Sequence, residues 1–312
     1  MSCLDKLKII TSFNNIKNID KKIFQTNSIG GILQSHKYRQ TKPSFLEIRV
    51  DLIHNELAIE FTSKILKDNF IHLINKDNIY ECFNNINQLG ICTLDIDNII
   101  NNSEIVKCDP AKDINFQDIK AMKNYINSNL VNNSKWKDEP YQNGFAVRKV
   151  ASTPRCRERI VVYDKEKELH DAKNKSFLDS LSDKEKCLSF YKGKIRIERN
   201  INTEKQIRDS FNISDNQLMS VLNSDANPIF DLLNKALKEP SANAYVIRKF
   251  KEYQMELVLK DCDYDLSKVE AKVRSLYAPN TQKSEIMKPY RDLLHRLQEN
   301  TTPLFDIRKL VV

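Results

Sequence analysis

What most limits the fold of this chain is a change in the spacing of its apolar residues near position 213. Before it, apolar residues come in short runs that alternate with polar ones, the period of a strand with one buried face. After it they recur at helical intervals, the period of a rod packed along one side. The chain has 312 residues, enough for one large domain or two modest ones, each with a core. The spacing therefore predicts an α+β part over residues 1–212, a central antiparallel sheet flanked by helices, and an all-helical domain over 213–312.

Within the first part, 1–40 reads as polar and irregular, with one or two strands. Phe45–Asp51 and Leu57–Thr62 alternate and form a hairpin. Asn78–Leu89 and Asn115–Leu130 have helical spacing, and Glu104–Asp109 is a strand that Pro110 closes, because proline brings no N–H to a ladder. Gly144–Ala151 and Arg159–Tyr163 pair across a basic turn that holds Arg155 and Arg157. Asp164–Lys173 and Ser182–Tyr191 are helical, Gly193–Ile201 is a strand, and Thr203 caps a helix to Phe211. Beyond 213 lie five helical stretches, and no repeat of fixed period runs through the chain.

Several chemistries are excluded. There are only five glycines, Leu188 stands where a phosphate loop ending at Gly193-Lys194 needs its first one, and no G-x-G-x-x-G occurs. Walker-type ATP hydrolysis and ordinary dinucleotide binding are ruled out on that ground. The seven cysteines make no CxxC pair, and Asp5, Lys6 and Lys8 break up the start of the chain where a signal peptide would be apolar. No apolar run nears the roughly 18 residues that cross a bilayer. Reduced thiols, a cytoplasmic location and no membrane partner are the expectation. Lys plus Arg outnumber Asp plus Glu by 50 to 42, a modest surplus that admits nucleic acid without requiring it.

Three apolar strands carry a carboxylate: Leu57-Ala58-Ile59-Glu60-Phe61, Ile105-Val106-Lys107-Cys108-Asp109 and Ile195-Arg196-Ile197-Glu198-Arg199. A fourth, Ile160-Val161-Val162-Tyr163, runs into Asp164-Lys165-Glu166-Lys167-Glu168. Each feature has an ordinary explanation. Glu60 can face solvent, Asp109 can shape a strand exit, Glu198 can pair with its arginines, and Tyr163 can be a strand aromatic. Aimed into one cleft, however, the three carboxylates make an oxygen-rich site for Mg²⁺ or Mn²⁺, beside which a tyrosine can attack a phosphodiester.

In order and spacing these segments resemble the filamentous-phage replication initiators. The tyrosine strand with its K-x-x-E continuation (Tyr163, Lys165, Glu168), the R-x-E strand (Arg196, Glu198), and Gln206-Ile207-Arg208 with Phe211-Asn212-Ile213 carry the likeness, over about residues 45–213. The wider plasmid initiator group shares the tyrosine, lysine, glutamate and R-x-E pattern. The resemblance implies nicking of single-stranded origin DNA, a 5′-phosphotyrosine link and rejoining after one round. It implies Tyr163 as nucleophile, Lys165 beside it, and metal ligands at Glu60, Asp109 and Glu198, with Asp113 a less close match. One departure stands out: the His-hydrophobe-His metal triplet of related nucleases is missing, so a metal rests largely on carboxylates, or on a lone histidine such as His170. The helical C-terminal part carries no motif.

Arg148, Lys149, Arg155, Arg157 and Arg159 cluster on the hairpin before Tyr163 and, with Arg196, are expected on DNA phosphates. A host helicase is the further expected partner. Two alternatives stay open: a relaxase or transposase with the same chemistry, and a regulator that binds DNA without cutting it.

Overall fold

The computed structural model describes residues 2–131, 135–150, 158–238, 247, 249–276, 283–300 and 306–312. The basic turn with Arg155 and Arg157, expected to contact DNA, lies outside the described residues.

The chain opens with β1 (Leu4–Ser12), β2 (Ile16–Ile19), β3 (Gln25–Ile29), β4 (Ile32–Gln40), β5 (Leu46–Asp51) and β6 (Glu56–Thr62). A 3-10 stretch (Ser63–His72), α1 (Ile79–Gln88), β7 (Cys92–Leu94) and α2 (Ile96–Asn102) lead into β8 (Glu104–Asn115). Next come α3 (Ile119–Asn129), β9 (Trp136–Tyr141), β10 (Gly144–Lys149) and β11 (Arg159–Asp164). The short helices α4 (Lys165–His170), α5 (Lys175–Leu178) and α6 (Lys184–Tyr191) precede β12 (Lys194–Asn200). The remainder is α7 (Glu204–Phe211), α8 (Leu218–Leu222), α9 (Pro228–Ala236), α10 (Phe250–Asp261), α11 (Leu266–Arg274), α12 (Lys283–Asn300) and α13 (Ile307–Val311). The architecture is α+β, as the periodicity predicts. No helix among the described residues is long and apolar enough to cross a membrane.

Ten strands form one antiparallel sheet in the order β3-β4-β5-β6-β1-β8-β12-β11-β10-β9, and β2 pairs with β7 apart from it. The first forty residues thus supply four strands, not one or two with loose chain. β1 alternates buried Leu4, Leu7 and Ile9 with half-buried Asp5, Lys6 and Lys8. Its lysines have carboxylate neighbours, so charge at every second position suits it to the sheet's centre.

β8 also differs from its expected form. It runs on through Pro110 to Asn115, because Pro110 falls where the strand changes partner. Its first residues register with β1 (Lys6 opposite Asp109) and Ala111–Asn115 with β12 (Glu198 opposite Ala111).

The sheet is a topological duplication that no fixed sequence period reveals. β1 is followed by the meander β3–β6, whose last strand returns to pair with β1. In the same way β8 is followed by the meander β9–β12, whose last strand returns to pair with β8. The two halves join where β1 and β8 lie antiparallel.

One face of the first half is apolar. Leu7, Ile9, Ile48, Leu57, Ile59 and Phe61 pack there with α1 through Cys82, Phe83 and Ile86 and with α8 through Leu218, Val221 and Leu222. The chain separates into two compact units, one of residues 1–123, 131–236 and 308–312, the other of 124–130 and 237–307. The division thus falls after Ala236 rather than after Asn212. α8 and α9 belong to the sheet-bearing unit because their apolar faces complete its core. The second unit has its own cluster, in which Met255, Leu259, Val269, Val273, Leu293 and Leu294 bring α10, α11 and α12 together.

A chain cut after Asn212 loses the fully buried Leu218, Val221, Leu222 and Leu232. Each buried Leu or Val side chain is worth about 1.5–3 kcal/mol. The truncated chain is expected to be insoluble or to unfold without a cooperative urea transition, whereas the full chain unfolds cooperatively.

Candidate active site

The half of the sheet formed by β8–β12 presents a polar face that is nonetheless buried. Tyr163 stands on β11 opposite Arg196 of β12, and Arg196 stands opposite Asp113 of β8. Directly paired residues of an antiparallel sheet share a face, and Glu198, two residues from Arg196, shares it too. Apolar side chains of Phe70, Leu169, Phe177, Leu178, Cys187 and Tyr191 form a cluster on this side. α4 begins directly after β11, with Asp164 accepting from the Lys167 amide as its cap. That turn places Lys165 two residues beyond the tyrosine and beside it.

Tyr163 is 4% exposed. Its Oη donates to Glu198 Oε1 at 2.5 Å, and Lys165 Nζ lies 3.5 Å from the same oxygen. Lys165 is buried and pairs with Glu168 Oε2 at 2.9 Å, while its ammonium sits over the rings of Phe70, Tyr163 and Tyr191. Glu168 also accepts from Asn174 Nδ2 at 2.9 Å, and Lys64 donates to Asn174 Oδ1 at 2.6 Å. Gly144 faces Tyr163 across the ladder. A Cβ there would lie 2.0 Å from Val162 O and 2.7 Å from Tyr163 Cα, so the tyrosine strand can approach β10 only because this residue is glycine.

Arg196 is fully buried, and four of its five N–H donors have named partners. It donates from Nη1 to Asp5 Oδ1 at 2.5 Å, from Nε and Nη2 to Asp113 at 2.7 and 2.8 Å, and from Nη2 to Tyr191 Oη at 2.9 Å. Ser63 Oγ adds a bond to Asp5 at 2.7 Å. Expected on DNA phosphates, Arg196 is instead an internal tie between β12, β1, β8 and α6, because its donors are spent inside the protein.

The acids divide by their surroundings. Burial pushes the Tyr163 phenol well above the ordinary value for tyrosine, and the charge of Glu198 adds to this. Burial, reinforced by Asp5, raises Glu198 to about 8 against the opposing pull of Arg196, Lys165 and the Tyr163 hydroxyl. Burial likewise raises Asp109 to about 6, although Asn200 Nδ2 donates to it at 3.0 Å. Burial would raise Asp5 and Glu168 as well. Arg196, Lys165, Ser63 and Lys64 hold Asp5 below its usual value, and Lys165, Lys64 and Asn174 do the same for Glu168.

The three carboxylates expected to share a metal do not converge. Glu60 on β6 is three strand spacings from Glu198 on β12, about 14 Å across the sheet, whereas metal–oxygen bonds are about 2.0–2.6 Å. It is also surrounded by ammonium groups, Lys6 at 2.5 Å, Lys107 at 3.5 Å and Lys8 at 3.8 Å. Glu60 therefore leaves the metal set. Asp109 and Glu198 lie on adjacent strands, and burial opposes the ionisation of both. Among the described residues no three His, Cys, Asp or Glu side chains form a metal-holding group.

The described members of the expected DNA contacts on the hairpin, Arg148, Lys149 and Arg159, are ion-paired. Arg148 bonds to Glu139, Arg159 lies 3.7 Å from Glu139, and Lys149 lies 2.8 Å from Glu158. Sequence reasoning missed Asp5, Ser63, Lys64, Gly144 and Asn174. Of these only Asp5 carries a signal, a carboxylate in the alternating run Leu4-Asp5-Lys6-Leu7-Lys8-Ile9.

Comparison with protein-family models, with curated proteins and with solved structures finds no match to this chain.

Replacing Arg196 by Met strands Asp5 and Asp113 in a buried setting with no cation between them. Breaking one side of a buried pair costs about 3–5 kcal/mol. Urea unfolding of Arg196→Met is expected to show a loss of that size, and removing both acids as well, in Asp5→Asn/Asp113→Asn/Arg196→Met, is expected to recover part of it.

Proposed function

We propose that this chain cuts and rejoins single-stranded DNA through Tyr163, in the manner of a rolling-circle replication initiator. The observation that carries the reading is the buried phenol hydrogen-bonded at 2.5 Å to a carboxylate and flanked at 3.5 Å by an ammonium. A tyrosine hydroxyl is a poor nucleophile, with an ordinary pKa of about 10. It needs a base for its proton and positive charge near the developing phenolate. Glu198 is within reach as the base, and its raised affinity for protons suits it to that role. Lys165 supplies the charge, held by Glu168.

In this reading Tyr163 Oη attacks phosphorus, its proton passes to Glu198, and the bond to the leaving 3′-oxygen breaks as the O–P bond forms. The 3′-oxygen takes up a proton, and the 5′ end remains on the tyrosine. Rejoining is the reverse, with a 3′-hydroxyl attacking the phosphotyrosine. Because each step exchanges one phosphodiester for another, no nucleotide cofactor is required for the chemistry. Asp109 and Glu198 would hold Mg²⁺ or Mn²⁺, whose charge would offset that gathering on the phosphate. Origin DNA is the substrate in this reading, and a host helicase is its partner for unwinding.

Tyr163→Phe keeps the ring packing and removes the only atom that can form the link. It is expected to abolish the denaturant-resistant protein–DNA adduct with a labelled origin oligonucleotide and to leave single-strand binding nearly unchanged. An adduct of normal yield would overturn the assignment. Tyr191 is no ready substitute, since it is fully buried and its Oη already accepts from Arg196.

The pH dependence has a definite sign. Asp109 and Glu198 are protonated below about 6 and about 8 respectively. Only their ionised forms accept the phenol proton or hold a cation. Single-turnover adduct formation is expected to rise with pH through this window. A rate that is flat there, or falls, would remove Glu198 from the reaction.

A further inference from the structure

The duplication of the sheet allows the two halves to be compared position by position. Lys6 and Asp109 face each other at the junction of β1 and β8. Two residues further on in each strand, Lys8 pairs with Glu60 and Ala111 pairs with Glu198. Ala58-Ile59-Glu60 on β6 thus occupies the place of Arg196-Ile197-Glu198 on β12. One strand further out, Glu60 pairs with Glu47 and Ala58 with Arg49, just as Glu198 pairs with Val161 and Arg196 with Tyr163. Arg49 stands where the second half has its tyrosine, and Ala58 stands where it has its buried arginine. Glu60, far from the metal pair, is the counterpart of Glu198.

The face around Glu60 has changed character. Lys6, Lys8 and Lys107 share Glu60, and Lys37 and Arg39 share Glu47, at 2.5–3.8 Å. Five cations on Glu60 and Glu47, with Asp109 opposite Lys6, leave a positive surplus. Asp51, Glu56 and Glu104 lie at the strand ends beside this cluster, and Asp51 takes Arg49 at 2.7 Å. Unlike the face around Tyr163, this one is open: Arg39 is 58%, Lys37 41% and Lys107 33% exposed. At its centre the ring of Phe45 lies under Lys6 Nζ at 4.6 Å and near the Arg39 guanidinium at 5.7 Å. Cations around a half-buried aromatic, on a sheet continuous with the active face, suit a strand whose phosphates and bases are both accessible.

We propose that the first half of the sheet is a non-catalytic counterpart of the active half and binds the single-stranded DNA that adjoins the cleaved phosphate. Lys6, Lys8, Lys37, Arg39 and Lys107 contact its backbone, and Phe45 stacks on a base. The identity of the ligand rests on the strand-transfer reading of Tyr163. Six strand spacings separate β11 from β4, about 29 Å, a span consistent with single-strand sites of about 4–16 nucleotides.

The test uses the full chain with Lys37→Gln/Arg39→Gln/Lys107→Gln, and separately Phe45→Leu. Each is titrated with a fluorescent oligothymidylate of about 20 nucleotides, a length above the usual site size, over a range of salt concentrations. The triple variant is expected to bind about tenfold more weakly, with the salt slope reduced by about 2, the value for three lost single-strand phosphate contacts. Phe45→Leu is expected to weaken binding with the slope unchanged. Both variants are expected to unfold in urea as the parent does, which shows that they are folded. Unaltered affinity and slope in the triple variant would overturn the proposal. So would an equal loss for a duplex of the same length, because the surface would then not be specific to single strands. A parent chain that binds the probe but forms no adduct with an origin oligonucleotide would instead overturn the reading of Tyr163, and the binding titrations would still decide the role of this face.

Discussion

The arrangement of the sheet-bearing unit depends on the guanidinium of Arg196. It is a permanently charged group with no exposed surface, which is tolerable only if its donors meet acceptors. Asp5 from β1, Asp113 from β8 and the Tyr191 hydroxyl from α6 supply them. The bonds therefore tie the second half of the sheet to β1, the strand of the first half at the junction, and fasten α6 over the same face. Asp5 and Asp113 would be as costly as the arginine if left alone, so each group makes the others' burial possible.

The geometry around Tyr163 hangs from that tie. Tyr163 is the ladder neighbour of Arg196, and Glu198 is two residues along the same strand, so fixing β12 fixes both the phenol and its acceptor. Lys165 is added by the turn into α4, and Glu168, Asn174 and Lys64 hold its position. Two kinds of carboxylate result from one buried setting. Asp5 and Glu168 have cations against them and stay ionised, whereas Asp109 and Glu198 lack a dedicated cation and hold their protons longer. The second pair is the one suited to taking up a proton or an ion.

The duplicated topology explains why one half of the sheet is covered and the other open. In the second half, the segment between β11 and β12 is long enough to form α4–α6, which bring Leu169, Phe177 and Tyr191 over the polar face, where Phe70 of the 3-10 stretch joins them. In the first half, the corresponding link between β5 and β6 is a short turn, and no helix arises from it. With Ala58 in place of Arg196 there is also no buried charge to require such a cover. Its lysines and arginines remain in water, where the surface pairs they make are weak and exchangeable.

Local pattern alone determined a good deal: strands with one buried face before residue 213, helices after it, the hairpin of β5 and β6, the cap at Thr203, and the place of Tyr163, Asp109 and Glu198 on apolar strands. These are readable because alternation and capping involve residues adjacent in the chain. The exclusion of phosphate-loop chemistry followed from glycine count in the same way. What only the tertiary structure decided is which charges meet. Asp5 reaches Arg196 across 191 positions and Lys64 reaches Glu168's partner Asn174 across 110. Arg196 became a buried tie instead of a DNA contact, and Glu60 left the metal set because two strands intervene between β6 and β12. α8 and α9 joined the sheet-bearing unit for a similar reason, since helical periodicity marks an apolar face but not the surface that buries it. The duplication itself stayed hidden because strand order is set by long-range hydrogen bonding, which imposes no fixed spacing on the residues that carry it.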